Sequence, residues 1–300
     1  MLVRRLGAGL LTSPNGRGVL SEDDPSCIGN FSWDPDVRAL CREADLLIAI
    51  GTRFQGPNTE SWKMELPARL VHLDIDSAVP GRNYPVEASI VADAKVSTMA
   101  LLDGLDRVGA PEILAETGWH ERIVSVADSS RRRLRGTLGP QVGLLDGLAP
   151  CLHPGTVIVK DSTISAYMWG NRLLPVRRPR TSITSNSFAI GLGLPQALGA
   201  AVGSKEAPVV LLAGGGGFLL AATELATVAQ EQLPIVALIL RRRRLRNSSE
   251  HPGSPVRAWR WPDRCGAGTT RFLRTCNRVR DSCRSRRLNR GLRAGSSASA

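Results

Sequence analysis

Between residues 44 and 240, short apolar runs, most of them ended by glycine or aspartate, alternate with stretches at helical spacing. ADLLIAIG (44–51), LVHLDID (70–76) and ASIVAD (88–93) read as buried strands, because a short, mainly apolar run fits a strand covered on both faces. KVSTMALLDGL (95–105) places Val96, Met99, Leu101, Leu102 and Leu105 at roughly helical intervals, and DPDVRALCREA (34–44) predicts a short helix with Asp34 or Asp36 at its start. TVIVKD (156–161), Val209–Leu212 and PIVALIL (234–240) give three further strands, with a helix around Ala166–Arg172 and another within AIGLGLPQALGAAVG (189–203). Alternation of this kind predicts parallel sheets with helices on their faces. TSPNGRGVL (12–20) and the Pro-, Arg- and Ser-rich stretch 175–187 read as loops.

Within APVVLLAGGGGFLLAATELATVAQEQLPIVALIL (207–240), a strand runs into four glycines, Gly214–Gly217. From Phe218 an amphipathic helix is predicted, with Glu224 and Gln230 on its polar face, and a second strand follows. Residues without a Cβ let several backbone N–H groups converge on one anion while the next helix aims its positive end at it. Gly216 and Gly217 are the candidate amide donors; a plain glycine-rich strand-to-helix connection is the alternative.

The chain of 300 residues has a net charge of +12, which taken whole points to nucleic acid or a membrane surface. Residues 241–300 hold 17 of the 39 Lys and Arg and 3 of the 27 Asp and Glu, a net +14, so residues 1–240 net −2. The basicity belongs to the last sixty residues. Every basic residue there is Arg and none is Lys, whereas phosphate- and membrane-binding segments recruit both. With Gly, Pro and Ser scattered through it and no apolar period, this stretch is expected to be disordered. The six cysteines include no C-x-x-C pair, which argues against a structural zinc site. MLVRRLGAGLLTS has too short an apolar stretch for a secretory leader, and no run approaches the ~20 apolar residues of a membrane span. A cytoplasmic protein is expected. His72, His120 and His153 read as packing or surface residues, and the cluster Arg131–Arg135 as the solvated end of a connecting helix.

The glycine stretch, GLGLPQALGAAVG (191–203) and the segments TSPNGRGVL, GNFSWDP (29–35), ADLLIAIGTRF (44–54) and LVHLDID together resemble the thiamine-diphosphate (ThDP) enzymes, in particular the acetolactate synthase large-subunit-like group. The resemblance covers nearly all of residues 10–240. It implies a central domain at 1–108, a linker helix at 109–142, a diphosphate-binding domain at 143–240 and a tail at 241–300. The fold expected is α/β, with two Rossmann-like parallel-sheet domains, the second truncated. It also implies ThDP and Mg²⁺ as cofactors, a 2-oxo acid substrate and a homodimer or homotetramer. FAD, a membrane and nucleic acid are not expected. On this resemblance Ser165, Gly214, Gly215, Gly216 and Gly217 are candidate diphosphate contacts, Asn186 and Ser187 are candidates for the diphosphate or the aminopyrimidine, and Ile190 is the apolar wedge beneath the thiazolium ring. Asp74 and Asp76 stand where a Rossmann-like sheet contacts a ribose.

Two departures matter. The family's metal ligands are an Asp in the glycine turn and a later Asn-Asn or Asn-Asp pair, and Gly215 and Arg241-Arg242 stand in their places. The family's catalytic Glu lies in a pyrimidine-binding domain that would precede this chain, so no catalytic residue is assigned. The segment RRRRLRNSSEH (241–251) can be encoded so that removing one base yields NDGGYGILRNI, which restores Asn-Asp at the family's spacing. A one-base insertion near 241 is therefore expected. The reading is an acetolactate synthase-like chain, decarboxylating a 2-oxo acid or transferring a two-carbon ketol unit by family, with little or no activity alone. The alternative is a non-catalytic nucleotide- or nucleic-acid-binding protein.

Overall fold

The computed structural model describes residues 2–110, 118–185, 187–204 and 207–240. The expected tail at 241–300, its disorder and its shifted frame, and the candidate Asn186, lie outside the described residues. The chain divides into two units between Arg133 and Leu134, and each is an α/β layer built on parallel strands.

In the first unit, β1 (Leu10–Leu11) pairs in parallel with β2 (Cys27–Gly29). A second sheet has the order β3 (Leu47–Ile50), β4 (Leu70–Asp74), β5 (Ala88–Val91), all parallel. The three expected strands are present, but their expected burial is not uniform. β4 has neighbours on both sides and buries Leu70, His72, Leu73 and Asp74, whereas the edge strands leave Ile50 and Val91 exposed. Before these strands the chain starts with α1 (Leu2–Arg5), a single helical turn.

Helix α2 (Pro35–Glu43) begins where the sequence places it. Asp34 is the N-cap, accepting from the amides of Asp36 and Val37, and Pro35 occupies the first turn, where its missing N–H costs nothing. Helix α3 (Ala94–Arg107) is capped in the same way by Asp93. Of the apolar residues at helical spacing, Leu101, Leu102 and Leu105 are half-buried while Val96 and Met99 are exposed, and Ser97 is buried, donating to the Asp93 carbonyl.

The helix α4 (Trp119–Gly136) corrects a second expectation. Ile123 and Ala127 are buried as the periodicity requires, but the arginine cluster is not a free solvated end. Arg131 donates to the carbonyl of Cys27 at 2.7 Å, and Arg133 bridges Asp34 at 2.6 Å and also pairs with Asp36, so this stretch of α4 is tied to β2 and to the cap of α2.

Burial raises the Cys27 and Cys41 thiols to about 11. Thiolate is the reactive species, so mass-mapped alkylation at pH 8 is expected to label the exposed Cys151 well before Cys27 or Cys41. A buried thiol whose pKa is raised from 9 stabilises the fold below pH 9, and that contribution is lost as pH rises through about 11. Labelling of Cys27 at the rate of Cys151 in the folded chain would contradict this packing.

The second unit contains α5 (Gln141–Leu148) and one parallel sheet in the order β7 (Ser182–Thr184), β6 (Val157–Lys160), β8 (Val209–Gly214), β9 (Ile235–Leu240). β7 falls inside the stretch read as a loop. Three residues with no apolar run suffice, because an edge strand needs only the ladder to β6. The expected helix at Ala166–Arg172 is a single π-helical turn, Ala166–Gly170. Helix α6 (Gly193–Gly203) packs Leu194, Ala197 and Ala201 on Val209, Leu211 and Ala213 of β8 and Val157 and Val159 of β6, forming the core of this unit. Fully burying each of the valine and leucine side chains contributes roughly 1.5–3 kcal/mol.

Candidate functional site

In the four-stranded sheet, the chain leaves β6 for one edge through β7 and returns on its other side as β8. Connections diverge at the C-terminal ends of β6 and β8, and open α/β sheets bind ligands in the crevice such a divergence creates. The four glycines stand there.

Their conformation differs from the expected turn. The β8–β9 ladder continues through Gly214, which pairs with Leu240, and α7 (Gly215–Leu220) begins at the next residue. Strand and helix therefore meet without a loop, and Phe218 lies inside the helix. α7 ends at Leu220, and Glu224 belongs to a separate helix, α8 (Glu224–Gln230). The first amides of a helix have no intrahelical acceptor, which leaves Gly215, Gly216 and Gly217 as the donors this junction can present.

The glycines are not equivalent. A Cβ on Gly216 would meet nothing within 4 Å, so this position faces open space. A Cβ on Gly214 would stand 3.2 Å from Oγ1 of Thr163. A Cβ on Gly217 would overlap Oδ2 of Asp161 and approach Cγ2 of Ile190 at 3.1 Å. Gly217 is thus a packing glycine, and Gly216 an open one.

The structure brings Ile190 to the junction and leaves it 60% exposed, beside Gly191, whose φ of +92° suits glycine. Phe188 is also exposed and lies against Tyr167. Ser187 shares a hydroxyl contact with Ser185 at 2.9 Å. Ser165 is buried and donates to Oε1 of Gln141 at 2.8 Å, the acceptor that also takes the Trp169 indole N–H at 2.7 Å. Asp161 and Thr163 were not legible as site residues: each precedes the glycines by some fifty positions, and only the β6–β8 register joins them.

The described residues offer a diphosphate room at Gly216 and an apolar side chain at Ile190, so they fit the organic cofactor. They do not fit its metal. Gly215 brings no side chain, and Mg²⁺ needs oxygen ligands, commonly one or two carboxylates. The Asp161 carboxylate is already taken by the amides of Ser162 and Gly191. No group of three His, Cys, Asp or Glu able to hold a metal occurs among the described residues.

In the first unit, His72 packs as expected: it is buried, its Nε2 lies 2.9 Å from the Thr52 carbonyl, and Phe54 meets it edge-on. Asp74 and Asp76 each accept a local amide, from Asp76 and Ala78 respectively. A groove of about 420 Å³ between α2 and α4 is lined by Asp36, Glu121 and Arg122. Asp36 and Arg122 there are engaged with Arg133 and Glu43. No described helix is long and apolar enough to cross a membrane.

Residues 1–102 match the model of the thiamine pyrophosphate enzyme central domain, and residues 165–252 that of the thiamine pyrophosphate enzyme C-terminal TPP binding domain. An acetolactate synthase of Mycobacterium avium is 31% identical over 79% of this chain and 40% of its own length. Acetolactate synthase 1, chloroplastic, of Nicotiana tabacum is 32% identical over 74% of this chain and 32% of its own. A probable 2-ketoarginine decarboxylase, AruI, of Pseudomonas aeruginosa is 31% identical over 79% of this chain and 42% of its own. The chain thus spans about two fifths or less of these curated relatives. Two domain matches in the family's order, with similarity to acetolactate synthases over most of the chain, show that it belongs to the thiamine-diphosphate-dependent, acetolactate synthase-like enzymes.

Proposed function

We propose that the second unit is the ThDP diphosphate-binding half of a 2-oxo acid decarboxylating or ketol-transferring enzyme, and that this chain alone turns over little or no substrate. The observation that carries the binding reading is the loop-free junction of β8 and α7 at the sheet's divergence point, with Gly216 open to solvent. Backbone amides of Gly215 and Gly216 would receive the diphosphate, and Ile190 would support the ring. ThDP, when bound, supplies an electron sink for decarboxylation. The low-activity reading rests on Gly215: without a carboxylate there, the described residues hold no metal between protein and diphosphate.

The exposed apolar side chains Phe188 and Leu220 beside the junction suit a second subunit, and a homodimer or homotetramer in the cytoplasm completes the proposal. A one-base insertion near 241 also belongs to it; nucleotide sequence lacking that base supports it, and an in-frame sequence shared by close relatives removes it.

Gly216→Val tests the site. A side chain there meets no neighbour, and valine replaces a poor helix former, so the melting temperature should hold. Calorimetric titration is expected to show ThDP affinity at least tenfold weaker than in the parent chain. Equal affinity would move the cofactor elsewhere.

A further inference from the structure

Two segments distant in sequence, 191–193 and the start of α7, converge on one carboxylate, that of Asp161, which directly follows β6 and is 2% exposed. The Gly191 amide donates to both its oxygens, at 3.0 and 3.3 Å, and the Ser162 amide to Oδ1 at 2.8 Å. A Cβ on Gly193, at the start of α6, would stand 2.6 Å from Asp161 Cβ. A Cβ on Gly217, in α7, would overlap Oδ2. Gly191 in turn lies against α7, where its Cβ would be 3.0 Å from that of Leu220. Amide hydrogen bonds to an ionised acceptor are about twice as strong as neutral ones, and a buried carboxylate needs them.

We propose that Asp161 is the positioning residue of the cradle: by holding Gly191 and filling the space that Gly217 and Gly193 leave, it fixes Ile190 against the start of α7. The inference rests on the diphosphate-binding reading for its functional meaning, not for its geometry. Glycine at 217 then serves the carboxylate behind the junction, and glycine at 216 serves the ligand in front of it. Asp161 touches neither cofactor nor substrate.

The experiment is amide hydrogen exchange on the full chain without cofactor, comparing the parent with Asp161→Asn and Asp161→Ala. Asparagine keeps one carbonyl oxygen for the Gly191 amide, so it should raise exchange across 187–193 about threefold and alanine tenfold or more. Amides of β8 and β9 should keep their parent protection. Unchanged exchange at 187–193 in both variants, or a rise spread evenly over the sheet, would overturn the inference. Should the alanine variant fail to fold, the asparagine variant decides by the same criterion. In a second arm, Gly217→Ala should lower the melting temperature, and adding Asp161→Ala should recover part of the loss; additive losses would count against the inference. ThDP titration of the same proteins separates the two readings. A parent that binds no ThDP but shows the exchange pattern refutes the cradle's function and keeps the positioning role, whereas binding unaltered by Asp161→Ala with unchanged exchange refutes the role alone.

Discussion

Trp169→Ala is expected to destabilise the second unit by about 4 kcal/mol, the middle of the range for emptying a large buried aromatic site. Trp169 is fully buried within the π-helical turn Ala166–Gly170, and its indole N–H shares Oε1 of Gln141 with the Ser165 hydroxyl. The substitution removes the filler of that space and one of the two donors holding the turn to α5. Trp169→Phe keeps most of the volume and loses the donor, so it should cost roughly 1–3 kcal/mol. Urea unfolding of the two variants measures both values. A loss under about 1 kcal/mol for alanine would show that the turn collapses without cost, and that Gln141 does not anchor the segment bearing Ser165.

Arg17→Ala is expected to cost the first unit about 4 kcal/mol. The Arg17 side chain is fully buried, and it grips Glu22 through two bonds of 2.6 Å. Removing one partner of such a pair strands the other charge away from water, which costs roughly 3–5 kcal/mol, whereas replacing both by apolar residues is often close to neutral. Arg17→Met with Glu22→Leu should therefore be more stable than Arg17→Ala despite carrying two changes. If the double variant is the weaker in urea, further partners of the pair dominate and the account of this loop is wrong.

The same loop shows what the sequence could and could not reveal. TSPNGRGVL reads as a turn from its Pro, Asn and Gly, because those residues act through their own backbone. The bidentate pair that closes it is invisible, since nothing local marks Arg17 as buried. Strands β3, β4, β6, β8 and β9 were legible from mainly apolar runs, and α2 from Asp34 and Pro35. β7 was not, because an edge strand of three residues draws its order from its neighbour and not from its own composition.

At the site the division is similar. The glycines announce close backbone approach, and their position after an apolar strand places them at the end of a sheet. Which glycine faces a ligand and which faces protein depends on Asp161 and Thr163, brought beside them only by the pairing of β6 with β8. The outward turn of Val96 and Met99 has the same origin: helical spacing fixes which residues share a face, and tertiary contacts decide which face is covered.

On the proposed function, the β8–α7 junction would hold a diphosphate through backbone amides alone, with no carboxylate at Gly215 to anchor a metal ion. Calorimetric titration of the full chain with ThDP, in the presence of Mg²⁺ and again with it chelated, tests this most directly. Saturable binding of the same affinity in both conditions, without pyruvate turnover, is the expected result. Affinity tightened tenfold or more by Mg²⁺, turnover of pyruvate by the isolated chain, or no saturable binding at all would contradict it.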